Sequence, residues 1–503
     1  MEENSKNTKI TYTKNLNNFH FNTTISTPID TNANIKTILN IDSYLFDQKV
    51  ECGNGKAIIS GKVGVKVLYI DSDNMTNTIT DSVSFSENYN ENSITSETYL
   101  NISTCHISNN ILSTEGTLKI NFEITVSPVA YLNLGISSLT SSSDSLITKK
   151  SEIKTNSISK VVNTKFEHTT NIETKHNVSK ILSNDSSLCI EKVTADNGFA
   201  VIEGKISTCF VFETQENDEV TIKDIKETFS FKHDVEINGL EKEDMLDLSF
   251  ELDKSKTSTS VENEDGTNVA ITNHTIKVYG VVLKNISIDI IDDLFSTSNE
   301  VEVSKTQREC SKGATNYNVS EVISNEISLS NEETAIDEII ANLSNVAEIT
   351  NTYIKDNLIF VEGVLSSSLA YIDENKEYKQ KQLELPFIIN TKIPAVELGC
   401  VHHIISIVDS RVKVKRGTII ELEHSLFISL TLFEKASHEM VDNFSIGKPL
   451  NLGEYDYQIF IAKQGETMWD LCKRIKISPE NISQYNKDLP LVMNGGEKVI
   501  IKR

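Results

Sequence analysis

At 503 residues the chain is long enough for several domains, and 48 Lys and Arg against 72 Asp and Glu leave it a net charge of −24 at pH 7. So acidic a surface disfavours nucleic acid and anionic membrane as direct partners, and no run of about twenty apolar residues is present to cross a bilayer. The seven cysteines, Cys52, Cys105, Cys189, Cys209, Cys310, Cys400 and Cys472, are scattered and never in Cys-x-x-Cys spacing, which argues against both a disulfide framework and a zinc site.

The opening residues, Met1-Glu2-Glu3-Asn4-Ser5-Lys6, lack the apolar core of a secretion signal, so the protein is expected to stay in the cytosol. Asn, Ser, Thr, Ile and Lys abound, while Pro (7) and Trp (1) are scarce. So many β-branched residues with so few helical periods predict a mostly β chain. Residues 1–32 are polar and weakly patterned, which predicts an arm of low order.

A repeat follows. Ala57-Ile58-Ile59-Ser60-Gly61-Lys62-Val63 matches Ala200-Val201-Ile202-Glu203-Gly204-Lys205-Ile206, and both match Ile359-Phe360-Val361-Glu362-Gly363-Val364-Leu365. Each is followed by a second alternating run (residues 65–70, 208–212 and 367–372). Each is preceded, in a helix-like context, by Ile38, Ile181 or Ile340. Downstream, Phe85, Phe229 and Phe387 open another apolar patch. A Gly-Thr pair (Gly116-Thr117, Gly266-Thr267, Gly417-Thr418) then precedes a long alternating strand. Five landmarks in one order, three times over, predict three β-rich, sandwich-type domains at 33–136, 176–297 and 333–436, with a polar insertion at 253–268 in the second. Composition predicts linkers at 137–175 (rich in Ser, Thr and Lys), 298–332 and 437–454. The three glycines fall mid-strand, where Gly marks a bulge, a bend or a close backbone approach.

Few residues suggest chemistry. Gly53-Asn54-Gly55-Lys56 lacks the hydroxyl residue that a phosphate loop requires, because Ala57 follows. Asp71-Ser72-Asp73-Asn74 hints at calcium, but Asp373-Glu374-Asn375 follows the same strand of the third copy, so both read as hairpin turns. His402-His403 and His424 lie on predicted strands, where adjacent side chains point to opposite faces and cannot share one ion. No nucleophile–base motif is visible. The chain is therefore expected to be neither an enzyme nor a carrier of a metal or cofactor.

Residues 455–503 read as a separate compact module. Tyr457-Gln458-Ile459-Phe460-Ile461-Ala462 predicts a strand, and Thr467-Met468-Trp469-Asp470 fits a capping box that opens a helix with Met468, Leu471, Cys472 and Ile475 on one face. Ser478-Pro479-Glu480 starts a second helix, with Ile482 and Tyr485 facing inward. Gly495-Gly496 then turns the chain into a final strand, Lys498-Val499-Ile500-Ile501. The single tryptophan, Trp469, lies at the edge of the apolar face of the first helix. It reads as a half-buried packing residue that would be a hot spot if that face is an interface.

Gln464-Gly465-Glu466-Thr467-Met468-Trp469-Asp470-Leu471, Ile477-Ser478-Pro479-Glu480, Asn486 and Gly495-Gly496 together resemble a LysM domain, with Glu466 where the family usually has Asp and Lys502 where it usually has Pro. The resemblance implies a βααβ fold that binds N-acetylglucosamine polymers, such as peptidoglycan or chitin, in a groove between the loops at 464–468 and 486–494. The candidate contacts are Gln464, Gly465, Glu466, Thr467, Met468, Trp469, Lys473, Asn486, Leu489 and Pro490. A LysM-like module behind three acidic β repeats is similar to the SipL-type spore envelope family of clostridia, which carries SPOCS (sporulation-associated) repeats and a terminal LysM domain. That resemblance implies a protein of the mother-cell cytoplasm, gathered at the forespore surface, that binds the coat ATPase SpoIVA through its LysM domain. Other coat proteins would be further partners, and the Lys473/Arg474 side of the module would join its groove in gripping the ATPase. Two other readings stay open: a protein docking on wall or cortex glycan, and a coat protein that self-assembles through its β domains.

Overall fold

The computed structural model describes residues 6–28, 35–114, 117–138, 145–216, 219–264, 267–330, 332–394, 397–451 and 457–502. Alternating β-branched and polar side chains produce strands along almost all of them. The first repeat holds β1 (Lys6–Asn15), β2 (Phe19–Pro28), β3 (Ile35–Gly53), β4 (Lys56–Asp71), β5 (Thr76–Asn90), β6 (Tyr99–Thr114) and β7 (Thr117–Ser138). The second holds β8 (Leu146–Thr174), β9 (Val178–Asp196), β10 (Phe199–Glu216), β11 (Glu219–Glu236), β12 (Met245–Leu252), β13 (Ser258–Glu264) and β14 (Thr267–Ser296). The third holds β15 (Asn299–Ser328), β16 (Ile336–Lys355), β17 (Leu358–Asp373), β18 (Tyr378–Lys392), β19 (Leu398–Lys415) and β20 (Ile419–Pro449).

Each repeat pairs two antiparallel sheets. One is a three-stranded meander: β3-β4-β5, β9-β10-β11 or β16-β17-β18. The other is built around the long last strand: β1-β7-β2 with β6 also on β7, β12-β14-β13 with β8 also on β14, or β15-β20-β19. The inward faces of the two sheets meet across an apolar core. Ile59, Val63 and Val67 pack with Ile120, Phe122 and Ile124 in the first repeat. Ile202 and Ile206 pack with Ile276 and Val278 in the second. Val361 and Leu365 pack with Leu422, Leu426 and Ile428 in the third.

Several stretches expected to lack structure are strands. β1 and β2 occupy most of the expected arm, β8 and β15 run through the two polar linkers, and β20 continues to Pro449 through the third. Their Lys and many of their Ser and Thr lie on the wet face of half-buried strands, while Thr11, Thr155, Thr170 and Ser311 are buried, and their backbone bonds come from the long neighbours β7, β14 and β20. Ile38, Ile181 and Ile340, expected in a helix-like context, lie in β3, β9 and β16; bulges in β3 and β16 break the strict alternation there and give a false helical spacing. Gly116 and Gly266 lie outside the described residues, while Gly417 makes the β19–β20 turn at φ 71°.

The repeat glycines face an aromatic ring on the neighbouring strand: Gly61 opposite Phe85, Gly204 opposite Phe231 and Gly363 opposite Phe387. In the second copy the matching aromatic is therefore Phe231; Phe229 packs instead with Phe210 and Phe212. On the other side each glycine meets a bulge of β3, β9 or β16. A Cβ on Gly61 would lie 3.1 Å from Phe85 Cζ, whereas on Gly204 it would overlap the Cys189 carbonyl oxygen and on Gly363 the Glu348 carbonyl oxygen. The glycine thus lets ring and bulge close on the sheet from both sides. Asp71 and Asp373 shape the following hairpins. Asp71 Oδ1 accepts from the backbone of Asp73 and Met75 (3.0 and 2.8 Å), and Asp373 Oδ1 from that of Asn375 and Glu377 (both 2.9 Å).

The three repeats pack around a common centre, each against the other two. Matching residues meet at two levels. Ile10, Ile153 and Cys310 of the three opening strands form one apolar cluster. Leu39, Leu182 and Ala341, with Leu68, Val211 and Ala370, form another. Polar groups join the levels. Lys254 Nζ lies 2.6 Å from Asp42 and 3.5 Å from Asp185, and the Ser344 backbone N–H donates to Asp185 (2.8 Å). Burial works to lower the Lys254 pKa, but the two carboxylates outweigh it and raise it. Deeper still, buried Asp247 of β12 accepts from the Tyr131 hydroxyl of β7 through one oxygen, while its other oxygen lies 2.8 Å from His402 Nδ1 of β19. Burial, then the Asp247 charge, push the Tyr131 phenol well above its usual pKa, so it stays a donor.

Two consequences can be measured by urea denaturation. Gly204→Ala and Gly363→Ala are each expected to lower the unfolding free energy by about 1–3 kcal/mol, and Gly61→Ala by less, because its new methyl meets only a ring edge and a more distant carbonyl. Asp247→Ala leaves two buried donors without an acceptor, and its expected cost is about 3 kcal/mol or more.

Candidate functional site

The chain ends in β21 (Tyr457–Ile461), α1 (Met468–Ile475), α2 (Pro479–Tyr485) and β22 (Lys498–Lys502), with the two strands paired antiparallel. The local signals explain the helices. The Thr467 hydroxyl accepts from Asp470 N (3.2 Å), and Asp470 accepts in return from Thr467 N (3.2 Å). Lys476 closes α1 in the left-handed conformation at φ 59°, and Ser478 caps α2 with Pro479 in its first turn. Leu471, Cys472, Ile475, Ile482, Val499 and Ile501 form the buried centre, with Met468 and Leu489 packed against it. Tyr485, expected inside, is exposed and meets Tyr457 edge-on at 6.5 Å.

The two loops expected to wall a groove are bonded to each other. Gly465 N donates to Met493 O (2.8 Å), Met493 N to Glu466 O (2.9 Å) and Met468 N to Leu491 O (3.1 Å). The loops thus run as one ribbon, with Gln464, Gly465, Leu491 and Val492 exposed on it and Pro490 half-buried. Glu466 points inward, taking a two-pronged ion pair from Arg474 (2.6 and 2.9 Å) and the Lys463 N–H (2.9 Å). The Arg474 bonds hold its carboxyl below the usual range. Asn486 also works internally, accepting from Ile500 N (2.8 Å) and donating to the Ile500 and Ile482 carbonyls.

Trp469 and Lys473 face the second repeat. Trp469 Nε1 donates to Asp293 Oδ2 (2.9 Å), and Lys473 Nζ lies 2.7 Å from both Asp293 oxygens. The indole meets the Phe295 ring edge-on at 5.2 Å, and Lys476 sits over the same ring at 5.9 Å. Burial tends to raise the Asp293 pKa, but the Lys473 and Trp469 bonds outweigh it and hold it low. The structure therefore divides the expected partner side: Trp469 and Lys473 bind the end of β14, and Arg474 turns to Glu466.

A different surface is open. Tyr457, Ile459 and Ile461 of β21, with Lys498, Ile500 and Lys502 of β22, form the side of the sheet that points away from the helices, and all six are exposed. None of the six is among the candidate contacts expected from sequence, though the apolar run at 459–462 carries the signal: in a two-stranded sheet, one face of such a run has no layer to cover it.

The SipL, SPOCS domain family matches residues 34–112 and 177–260. These two segments are SPOCS domains of the SipL type. The two matches begin at the meanders β3-β4-β5 and β9-β10-β11 and run on to the strands after them, so the SipL-type unit includes the glycine–phenylalanine pair. The meander β16-β17-β18 has the same strand order, bulge and pair outside the matched residues. The SPOCS domains make this a sporulation-related protein. No curated protein and no solved structure matches the chain. Among the described residues no helix is long and apolar enough to cross a membrane.

Trp469 is the only tryptophan, so the emission reports its surroundings at Asp293 and Phe295 with no second indole to mask them. Asp293→Ala is expected to shift that emission to the red at neutral pH and to weaken docking of the module by about 1–2 kcal/mol. Because the folded Asp293 pKa lies below its unfolded value, the contact contributes fully above the ordinary Asp value of about 3.9 and fades as pH falls through the folded value. Wild-type emission should therefore hold steady from neutral pH to about pH 4 and shift red below it.

Proposed function

We propose that this SipL-type chain is a non-enzymatic adaptor of the spore envelope, and that its terminal module is a LysM domain that binds a coat ATPase of the SpoIVA kind. In this reading the protein works in the mother-cell cytoplasm at the forespore surface, where it anchors the coat base layer and meets other coat proteins. The observation that carries the reading is the pair of SPOCS domains in one chain with a strand–helix–helix–strand module. The inward turn of Glu466 and Asn486, residues that a LysM groove would offer to a ligand, favours a protein partner over a sugar. A single module would also bind glycan without the avidity that repeated modules supply.

The test is binding by the full-length chain, with purified SpoIVA in one arm and N-acetylglucosamine oligomers and muropeptides in the other. Binding to the ATPase, lost on deletion of residues 455–503, is the expected result. Binding to sugar alone would replace the adaptor by a wall- or cortex-docking protein. Retention of ATPase binding after the deletion would place the contact in the β repeats.

A further inference from the structure

The outer face of the β21–β22 sheet is an exception to the way this protein treats its surface. Seven of the sixteen large apolar side chains exposed among the described residues lie in the terminal module. Four of the seven share this face: Tyr457, Ile459, Ile461 and Ile500, with exposures of 59%, 64%, 53% and 42%. Ile459 and Ile500 are direct cross-strand partners at its centre, and the pairs Tyr457–Lys502 and Ile461–Lys498 lie on either side. These apolar groups contribute nothing to the module's own core, and a patch of this kind rimmed by charge marks a site of association.

The rim decides what can cover it. Neither strand places a carboxylate on the face, while Lys498 and Lys502 stand at the two ends of β22, at the corners along one edge. Residues 455–503 carry eight Lys and Arg against six Asp and Glu, in a chain whose net charge is −24. Two copies meeting through this face would bury four lysines with no carboxylate on either face to pair them, which disfavours self-pairing. Two lysines supply only about 2 kcal/mol of attraction to an anionic bilayer, and the acidic repeats oppose it. From the apolar centre and the cationic corners we infer that this face is the protein-docking surface of the module, and that it takes a partner surface with an apolar centre flanked by carboxylates. The inference rests on the adaptor reading and deepens it: α1 holds the scaffold through Asp293 while the sheet holds the partner, so both can be engaged at once.

The test compares full-length wild type with Ile459→Glu, Ile500→Glu, the double Lys498→Glu/Lys502→Glu variant and Asp293→Ala. Each is measured for affinity to the purified coat ATPase, for vesicles of phosphatidylglycerol and phosphatidylethanolamine, and for self-association. Circular dichroism and Trp469 emission report the fold, which the exposed sites should leave intact. Ile459→Glu and Ile500→Glu should each weaken ATPase binding tenfold or more. The lysine variant should weaken it and flatten its salt dependence, and Asp293→Ala should leave it within about twofold. ATPase binding that ignores both isoleucine variants and strengthens in Asp293→Ala would overturn the inference alone, placing the partner on the Trp469 side. Vesicle binding or self-association abolished by Ile459→Glu would also overturn it, by showing a different occupant. No ATPase binding by the wild type would overturn the adaptor reading and the inference together.

Discussion

One carboxylate ties the three repeats together. Asp247 comes from the second repeat, and its two oxygens are taken by Tyr131 of the first and His402 of the third, all of them buried. Each repeat closes its own apolar core between two sheets, but several buried polar groups at the inner end of each core take partners from the other repeats. A buried hydrogen-bonded group left unpaired costs more than the pair contributes when made, so the arrangement penalises partial closure. Lys254 does the same a level away, where Asp42 and Asp185 are matching positions of two copies and Ser344, the third, binds Asp185 through its backbone. Apolar packing draws matching strands toward the centre without fixing their register. The buried polar contacts fix it, because the full set forms only when all three copies are in place.

The repeats were legible because a mid-strand glycine constrains its neighbours in a way that survives sequence drift. Gly61, Gly204 and Gly363 each need a bulge on one side and a phenylalanine on the other, so apolar runs of fixed order surround them. The arm and linkers were misread for the complementary reason. A strand with one wet face, such as β8 or β15, has the Ser, Thr and Lys content of a flexible connection, and what makes it a strand is a partner far away in the sequence. The closure of the repeats on one another was not legible at all. Asp247 is one of several acids between Glu241 and Glu251, and nothing near it names Tyr131 or His402.

The terminal module shows the same division. Its helices could be read because capping is local: Thr467 with Asp470, and Ser478 with Pro479, lie within three residues of each other. The role of its tryptophan could not, because Asp293 and Phe295 belong to another repeat. The candidate contacts separate accordingly. Glu466 and Asn486 hold the module's own turns and strand, Trp469 and Lys473 hold it to the body, and Gln464 and Gly465 stay exposed on the ribbon formed by the paired loops.

This placement constrains how an adaptor of this shape can work. The module is tethered to the end of β20, in the third repeat, yet its tryptophan and lysine are bound at the end of β14, in the second. Where those two strands finish, Ile291 and Leu294 pack with Val441, Val303 and Phe444, and Leu450 N donates to Ser298 O, so the end of β20 and the docking point share one packed seam. Asp293 follows an irregularity in the β8–β14 pairing, which marks the last turn of that seam as the place where the strand is bent toward the module. A module attached at one repeat and bonded to its neighbour has a fixed orientation, as a single flexible tether would not give. Fixing it through α1 leaves the outer sheet face uncovered by the body.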